Sequence, residues 1–132
     1  MEGYFSAIRE KSDIRLGFHA HNNLGLALSN SLFAAKLGFE LIDTSLQGMG
    51  RSSGNTQTEL FTICGMKRGL LPDFDYKNLL IFSRRFIYPY IKKYGVDPID
   101  TICGVAGFHS SYLQSIHRQS SLKGVNPLEL IE

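Results

Sequence analysis

Cysteine is scarce in this sequence of 132 residues: only Cys64 and Cys103 are present. Two are too few for a disulfide framework, so both are expected to be reduced thiols. Excess charge of one sign is also missing. Fourteen Lys and Arg against twelve Asp and Glu leave a formal net charge of +2. Arg84-Arg85 and Lys92-Lys93 are isolated pairs rather than a basic footprint, which argues against a nucleic-acid partner. No apolar run approaches the roughly 18 residues of a membrane span. The start, Met1-Glu2-Gly3-Tyr4-Phe5, lacks a basic region followed by an apolar stretch, so it does not read as a secretory signal. Together these absences predict a cytoplasmic protein. Internal repeats and low-complexity segments are absent as well. Finally, the length excludes a complete (β/α)8 barrel, which needs roughly 250 residues.

What is present has a clear order. A short helix is predicted over about Tyr4 to Lys11. Residues 14–21 then alternate strictly: Ile14, Leu16, Phe18 and Ala20 share one face, and Arg15, Gly17, His19 and His21 the other. That is a strand with one apolar side. Asn22-Asn23 turn the chain, and Leu24 to Leu37 carries the apolar stripe of an amphipathic helix. Gly38 is a natural left-handed stop. Phe39 to Leu46 reads as the next strand, and strand–helix–strand with short joins predicts a parallel pair. Gln47 to Asn55 is glycine-rich. Thr56-x-x-Glu59 has capping-box spacing for a following helix, which Gly69 and Pro72 end.

Composition shifts after Pro72, where a boundary divides residues 1–72 from 73–132. Tyr76 to Tyr94 places Leu79, Leu80, Phe82, Phe86, Ile87, Tyr90, Ile91 and Tyr94 on one helical face, with a kink expected near Tyr88 because of Pro89. Val96 to Gly107 reads as irregular. A helix is expected from about Ser110 to Leu122, with Tyr112, Leu113 and Ile116 facing inward. Asn126 is a predicted N-cap with Pro127 at the first helical position.

His19 and His21 carry the sharpest chemical signal. Residues i and i+2 of a strand point the same way, so two imidazoles project from one face near its C-terminal end. Ligands of parallel α/β structures bind outside those ends. On this evidence alone, two hydrogen-bonded histidines are the simpler reading. The glycine loop after the neighbouring strand changes the balance. It lies on the same rim, its glycines let backbone approach a ligand, and Asn55 can reach the same ion through its side-chain oxygen. Asp43 and Ser45 lie on the second strand, where Ser45 is a candidate substrate contact and Asp43 either faces the interior or pairs locally. His117 reads as a surface helix residue and Cys64 as a buried thiol.

Gly17-Phe-His-Ala-His-Asn-Asn-Leu-Gly-Leu-Ala-Leu-Ser-Asn30 and Ile42-Asp-Thr-Ser-Leu-Gln-Gly-Met-Gly-Arg-Ser-Ser-Gly-Asn55 resemble the last two βα units of the metal-dependent aldolase/acyltransferase barrels. This superfamily includes hydroxymethylglutaryl-CoA lyase, isopropylmalate synthase and 4-hydroxy-2-oxovalerate aldolase. The run from Asp100 to Ile116 resembles the helical C-terminal domain of the last of these, where the pattern is Gly-Tyr-Ala-Gly-Val-Tyr-Ser-Ser-Phe-Leu. The fold expected is therefore α/β: the last two βα units of a TIM barrel, followed by an all-helical domain that docks a partner.

The resemblance implies a carbon–carbon lyase that cleaves 4-hydroxy-2-oxoacids to pyruvate and an aldehyde such as acetaldehyde. It implies a divalent metal on His19 and His21, with Asn55 a ligand or close neighbour. Mn²⁺ suits that site best, with Mg²⁺ or Co²⁺ as alternatives. It also implies an acylating acetaldehyde dehydrogenase as the partner of residues 73–132. The open edges of two parallel strands predict in addition an oligomer or association with the missing part of the barrel. Two departures stand out. The family's aspartate ligand, arginine and catalytic histidine come from first barrel strands that this sequence does not contain. His109 replaces a tyrosine that assists proton transfer, and Val105 replaces another. A histidine can also move protons near neutral pH, or it can mark a changed substrate or lost activity. An acyl-CoA-condensing synthase fits the glycine loop equally well, although the Gly104 to Leu113 run argues against it. A non-catalytic docking module is the third reading.

Overall fold

The computed structural model describes residues 1–92 and 95–131, with Ser110 described by its backbone alone. Tyr94, Lys93 and Glu132 fall outside the described residues. The helix α1 spans Glu2–Arg9, and Phe5 lies against Phe39 with ring centroids 5.1 Å apart. Strands β1 (Gly17–Phe18) and β2 (Leu41–Ile42) pair in parallel, Gly17 with Leu41 and Phe18 with Ile42. Order and direction match the expected parallel pair, but the ladder is far shorter than the alternation suggests. Past Phe18 the pairing changes partner: His21 bridges Asn55 and Ser45 bridges Gln57. The alternation survives in part as a burial pattern: Leu16 and Ala20 are buried, Phe18 is half-buried, and Arg15, Gly17, His19 and His21 are exposed, but Ile14, expected on the apolar face, is exposed as well.

Helix α2 (Ala27–Leu37) connects the strands. It begins later than the apolar stripe because residues 22–25 form a turn: Gly25 N–H donates to the Asn22 carbonyl and Asn22 Oδ1 accepts from Ala27 N–H. Gly38 ends it with φ 102°, the left-handed stop expected. Ala27, Ser31, Leu32 and Ala34 form its buried side.

Helix α3 (Thr58–Lys67) departs from the expected start. Its N-cap is Gln57 and no side chain caps it, so the Thr56–Glu59 capping box is not formed. The Thr56 hydroxyl instead meets Ser31 Oγ at 2.7 Å in the interior, and the Glu59 carboxylate turns away toward Gln47 and Ser83. Helix α4 (Tyr76–Phe86) is capped by Asp75, which accepts from Asn78 N–H. A 3-10 turn at Tyr88–Tyr90 follows, placing the break where Pro89 predicts it. The expected apolar core of this helix is not built: Leu80, Phe82, Phe86 and Tyr90 are exposed, and Ser83 is its buried residue.

Residues 96–107 are not irregular, as composition suggested. They contain helix α5 (Pro98–Val105), capped by Asp97 with Pro98 at its first position, the arrangement favoured at helix starts. A 3-10 turn at Ser110–Tyr112 leads into α6 (Leu113–Lys123). Ile116 is buried and Leu113 partly so, but Tyr112 is exposed. Asn126 does cap the next turn, accepting from Leu128 N–H at 2.9 Å, but that turn is a 3-10 segment of four residues, Pro127–Leu130. Cys103, Ile116 and Ile131 form a core with Ile99, Ile102 and Leu113 packed on it. The architecture is thus two parallel βα units forming an open part of a TIM barrel, continued by an all-helical region.

Candidate functional site at the strand ends

The rim is built where β1 and β2 run out. His19 and His21 stand on the same side of the first strand, as the period of two requires. Their rings meet edge to face with centroids 5.1 Å apart. His19 Nδ1 lies 3.3 Å from Asp43 Oδ2, so the second strand supplies a carboxylate to one ring. Both partners are largely exposed on the sheet face opposite the buried Leu16 and Ala20.

The loop after β2 folds across the end of β1. Asn22 N–H donates to the Gly54 carbonyl at 2.9 Å, which supports the His21–Asn55 bridge. Two side chains then converge on one acceptor: Ser45 Oγ donates to the Met49 carbonyl at 2.6 Å and Asn55 Nδ2 donates to it at 3.0 Å. That bond fixes the Asn55 amide and leaves its oxygen as the uncommitted end. Asn55 Oδ1 is buried and has no hydrogen-bond partner among the described residues, an unusual condition for a buried polar atom.

Two glycines of the loop have close neighbours. A Cβ on Gly50 would come within 2.7 to 2.9 Å of the Asn55 amide. One on Gly54, at φ 81°, would lie 2.1 Å from the Gly48 carbonyl oxygen. Beside the loop is a cavity of about 620 Å³ whose lining includes Asn22, Met49, Asn55, Gln57, Tyr90 and Lys92.

Of the residues singled out from the sequence, the fold brings together His19, His21, Asp43, Ser45 and Asn55. His109 sits apart in the turn between α5 and α6, exposed, its Nδ1 2.9 Å from Ser111 Oγ. His117 is exposed on α6. Cys64 is half-buried, and Cys103 is buried with its thiol pushed up by burial and by the neighbouring Asp100 carboxylate. Among the described residues no group of three or more His, Cys, Asp and Glu side chains converges as a metal cluster. The donors at the rim are two imidazoles and one amide oxygen.

Sequence reasoning missed the residues that hold the loop in place. Glu59 is fully buried and accepts from Gln47 N–H, Gln47 Nε2 and Ser83 Oγ. Burial pushes the Glu59 carboxyl up, but the bonds from Ser83, its own backbone and Gln47 outweigh it and hold the group below the usual glutamate range. Ser52 Oγ donates to Asp100 Oδ1 at 2.5 Å, and Asn23 Nδ2 donates to Ser52 Oγ and to the Asp100 carbonyl, both at 3.0 Å. No local spacing signals these ties, because each joins residues far apart in the chain.

Known proteins supply the remaining context. Among curated relatives, the 4-hydroxy-2-oxovalerate aldolase of Thermomicrobium roseum is 34% identical over 127 residues, covering 96% of this chain and 36% of its own length. The protein of that name from Shewanella woodyi is 36% identical over 122 residues, covering 92% of this chain and 36% of its own. This chain thus spans about a third of the length of these relatives. A solved structure, the N-terminal domain of a proposed aldolase from Bacteroides vulgatus, superposes with a TM-score of 0.70 at 27% identity, over 86% of this chain and 38% of that one. No helix of the described residues is long and apolar enough to cross a membrane. The HMGL-like profile runs through both strands, the histidine pair and the glycine loop, matching residues 1–85, and the chain therefore belongs to the HMGL-like family.

Proposed function

We propose that this chain carries one side of the active site of a divalent-metal-dependent aldolase that cleaves 4-hydroxy-2-oxoacids, such as 4-hydroxy-2-oxovalerate, to pyruvate and an aldehyde. The observation that carries the reading is the rim itself: two imidazoles at a strand end, opposed by an asparagine whose buried oxygen lacks a partner. That donor set fits a divalent cation, since an orphaned buried acceptor costs stability unless something satisfies it. His19, His21 and Asn55 would hold the ion, and mixed imidazole and oxygen donors suit Mn²⁺, with Mg²⁺ or Co²⁺ as alternatives. A divalent cation supplies Lewis-acid polarisation of a keto acid's carbonyl oxygen.

The chain's own residues have separate tasks. Asp43 orients the His19 ring, as carboxylates commonly do for metal-bound imidazoles. The Met49 carbonyl takes the Nδ2 end of the Asn55 amide and leaves Oδ1 as the free acceptor. Ser45, anchored on that same carbonyl, is the candidate substrate contact. His109 is assigned proton transfer, by its position in the run that resembles the aldolase's helical domain. Residues 73–132 are assigned the docking of a partner, an acylating acetaldehyde dehydrogenase by resemblance. Exposed Leu80, Phe82 and Phe86 on α4 support a covered surface there. We place the protein in the cytoplasm and expect it to associate through the open barrel edge.

The test is calorimetric titration of Mn²⁺ into the whole protein, with pyruvate release from 4-hydroxy-2-oxovalerate followed in parallel. His19→Ala should abolish both. Unchanged Mn²⁺ affinity would overturn the metal assignment, and thiol release from acetyl-CoA with a 2-oxoacid would move the protein to the synthases.

A further inference from the structure

Among the described residues, two that are not glycine have left-handed backbone: Gln47 (φ 55°) and Ser52 (φ 57°). Both lie in the rim loop. Such a conformation is disfavoured for residues with a Cβ and persists where the surroundings enforce it. Here the surroundings are two buried carboxylates. Gln47 N–H lies 3.1 and 3.0 Å from the two Glu59 oxygens, and Ser52 Oγ donates to Asp100. Glu59 and Asp100 are 0% and 1% exposed, and they are the buried acids among the described residues.

Each clasp also reaches into the helical region. Ser83 of α4 donates to Glu59 and accepts from Gln47 Nε2 at 2.9 Å. Asp100 belongs to α5 itself. Between the two clasped residues lies the Met49 carbonyl that orients Asn55. We propose that Glu59 and Asp100 are positioning residues for the rim: they hold Gln47 and Ser52 left-handed, so the placement of Asn55 against the histidine pair depends on α4 and α5. The consequence for metal binding rests on the aldolase reading; the consequence for the loop does not.

Arg51 is exposed in the loop, and Arg118 is exposed on α6. Trypsin cleavage at these two sites of the whole protein, without metal, compares loop opening with opening elsewhere. Asp100→Ala and Ser52→Ala should each raise the ratio of Arg51 to Arg118 cleavage at least tenfold. Asp100→Asn keeps an Oδ1 acceptor for Ser52 and should stay within twofold of the parent. Glu59→Ala should raise the ratio as Asp100→Ala does. In Mn²⁺ calorimetry the alanine variants should bind at least fivefold more weakly. A ratio unchanged in the alanine variants, or an asparagine variant as impaired as alanine, overturns the proposal; Ser52→Ala, which leaves α5 intact, decides the case if Asp100→Ala does not fold. Loop opening with unaltered Mn²⁺ affinity overturns the link to Asn55. A parent that binds no Mn²⁺ overturns the aldolase reading, while the cleavage ratio still decides the clasp.

Discussion

His21 and Asn55 face each other across an isolated antiparallel bridge, with the Gly54 carbonyl taking the Asn22 N–H beside it. On the loop's own side Asn55 N–H donates to the Gly48 carbonyl at 3.0 Å, which brings that oxygen so close that Gly54 has no room for a side chain. Gly54→Ala is expected to cost about 3 kcal/mol, from a positive φ combined with a clash against backbone that cannot yield. Urea unfolding of the whole protein measures it. Gly50→Ala meets the Asn55 side chain instead, which can move. It should cost less stability but weaken Mn²⁺ binding.

Asp43 is 71% exposed at its side chain, and His19 is its described partner. Asp43→Asn should therefore leave stability within about 0.5 kcal/mol. Loss of the oriented imidazole should lower Mn²⁺ affinity about tenfold. Calorimetry beside a thermal melt separates the two effects.

Glu59 predicts an acid-sensitive fold. Its folded pKa lies below the ordinary value of 4.5, so on acidification the unfolded chain takes up this proton first. The stabilisation is complete above 4.5 and is lost as pH falls from there through the folded pKa. Unfolding free energies across that window should fall for the parent and flatten for Glu59→Gln. Glu59→Ala, which orphans Gln47 and Ser83 donors, should cost about 3 kcal/mol at neutral pH.

The two thiols should react at different rates. Cys103 is buried with a raised pKa, and Cys64 is half-buried. At pH 8 a thiol alkylating reagent should label Cys64 first, with Cys103 modified on the timescale of unfolding. Peptide mass mapping over time reads the order.

Local chemistry made much of this fold legible. The alternation at 14–21 placed the histidine pair on one face, Gly38 stopped α2, and Pro89 broke the helix where its missing N–H requires. Asp97-Pro98 also carries a helix-start signal, and Ile99, Ile102 and Cys103 follow it at i, i+3 and i+4 as the face that enters the core; the stripe is short and ends at Gly104, so a reading by composition passes over it. Thr56 and Glu59 show the deeper limit. Their spacing suits a capping box, but the Ser31 hydroxyl and the Gln47–Ser83 pair compete for the same side chains and win because those sites are buried. The helical face from Leu79 to Tyr90 reads as core from periodicity alone, which reports that a surface is apolar without saying what covers it.

Glu59 has a consequence for the history of the sequence. One carboxylate serves a loop residue before it and a helix residue after it, so positions 47, 59 and 83 form one unit. A replacement at any of them changes which residues the other two tolerate. Across related sequences these three positions should vary together or not at all.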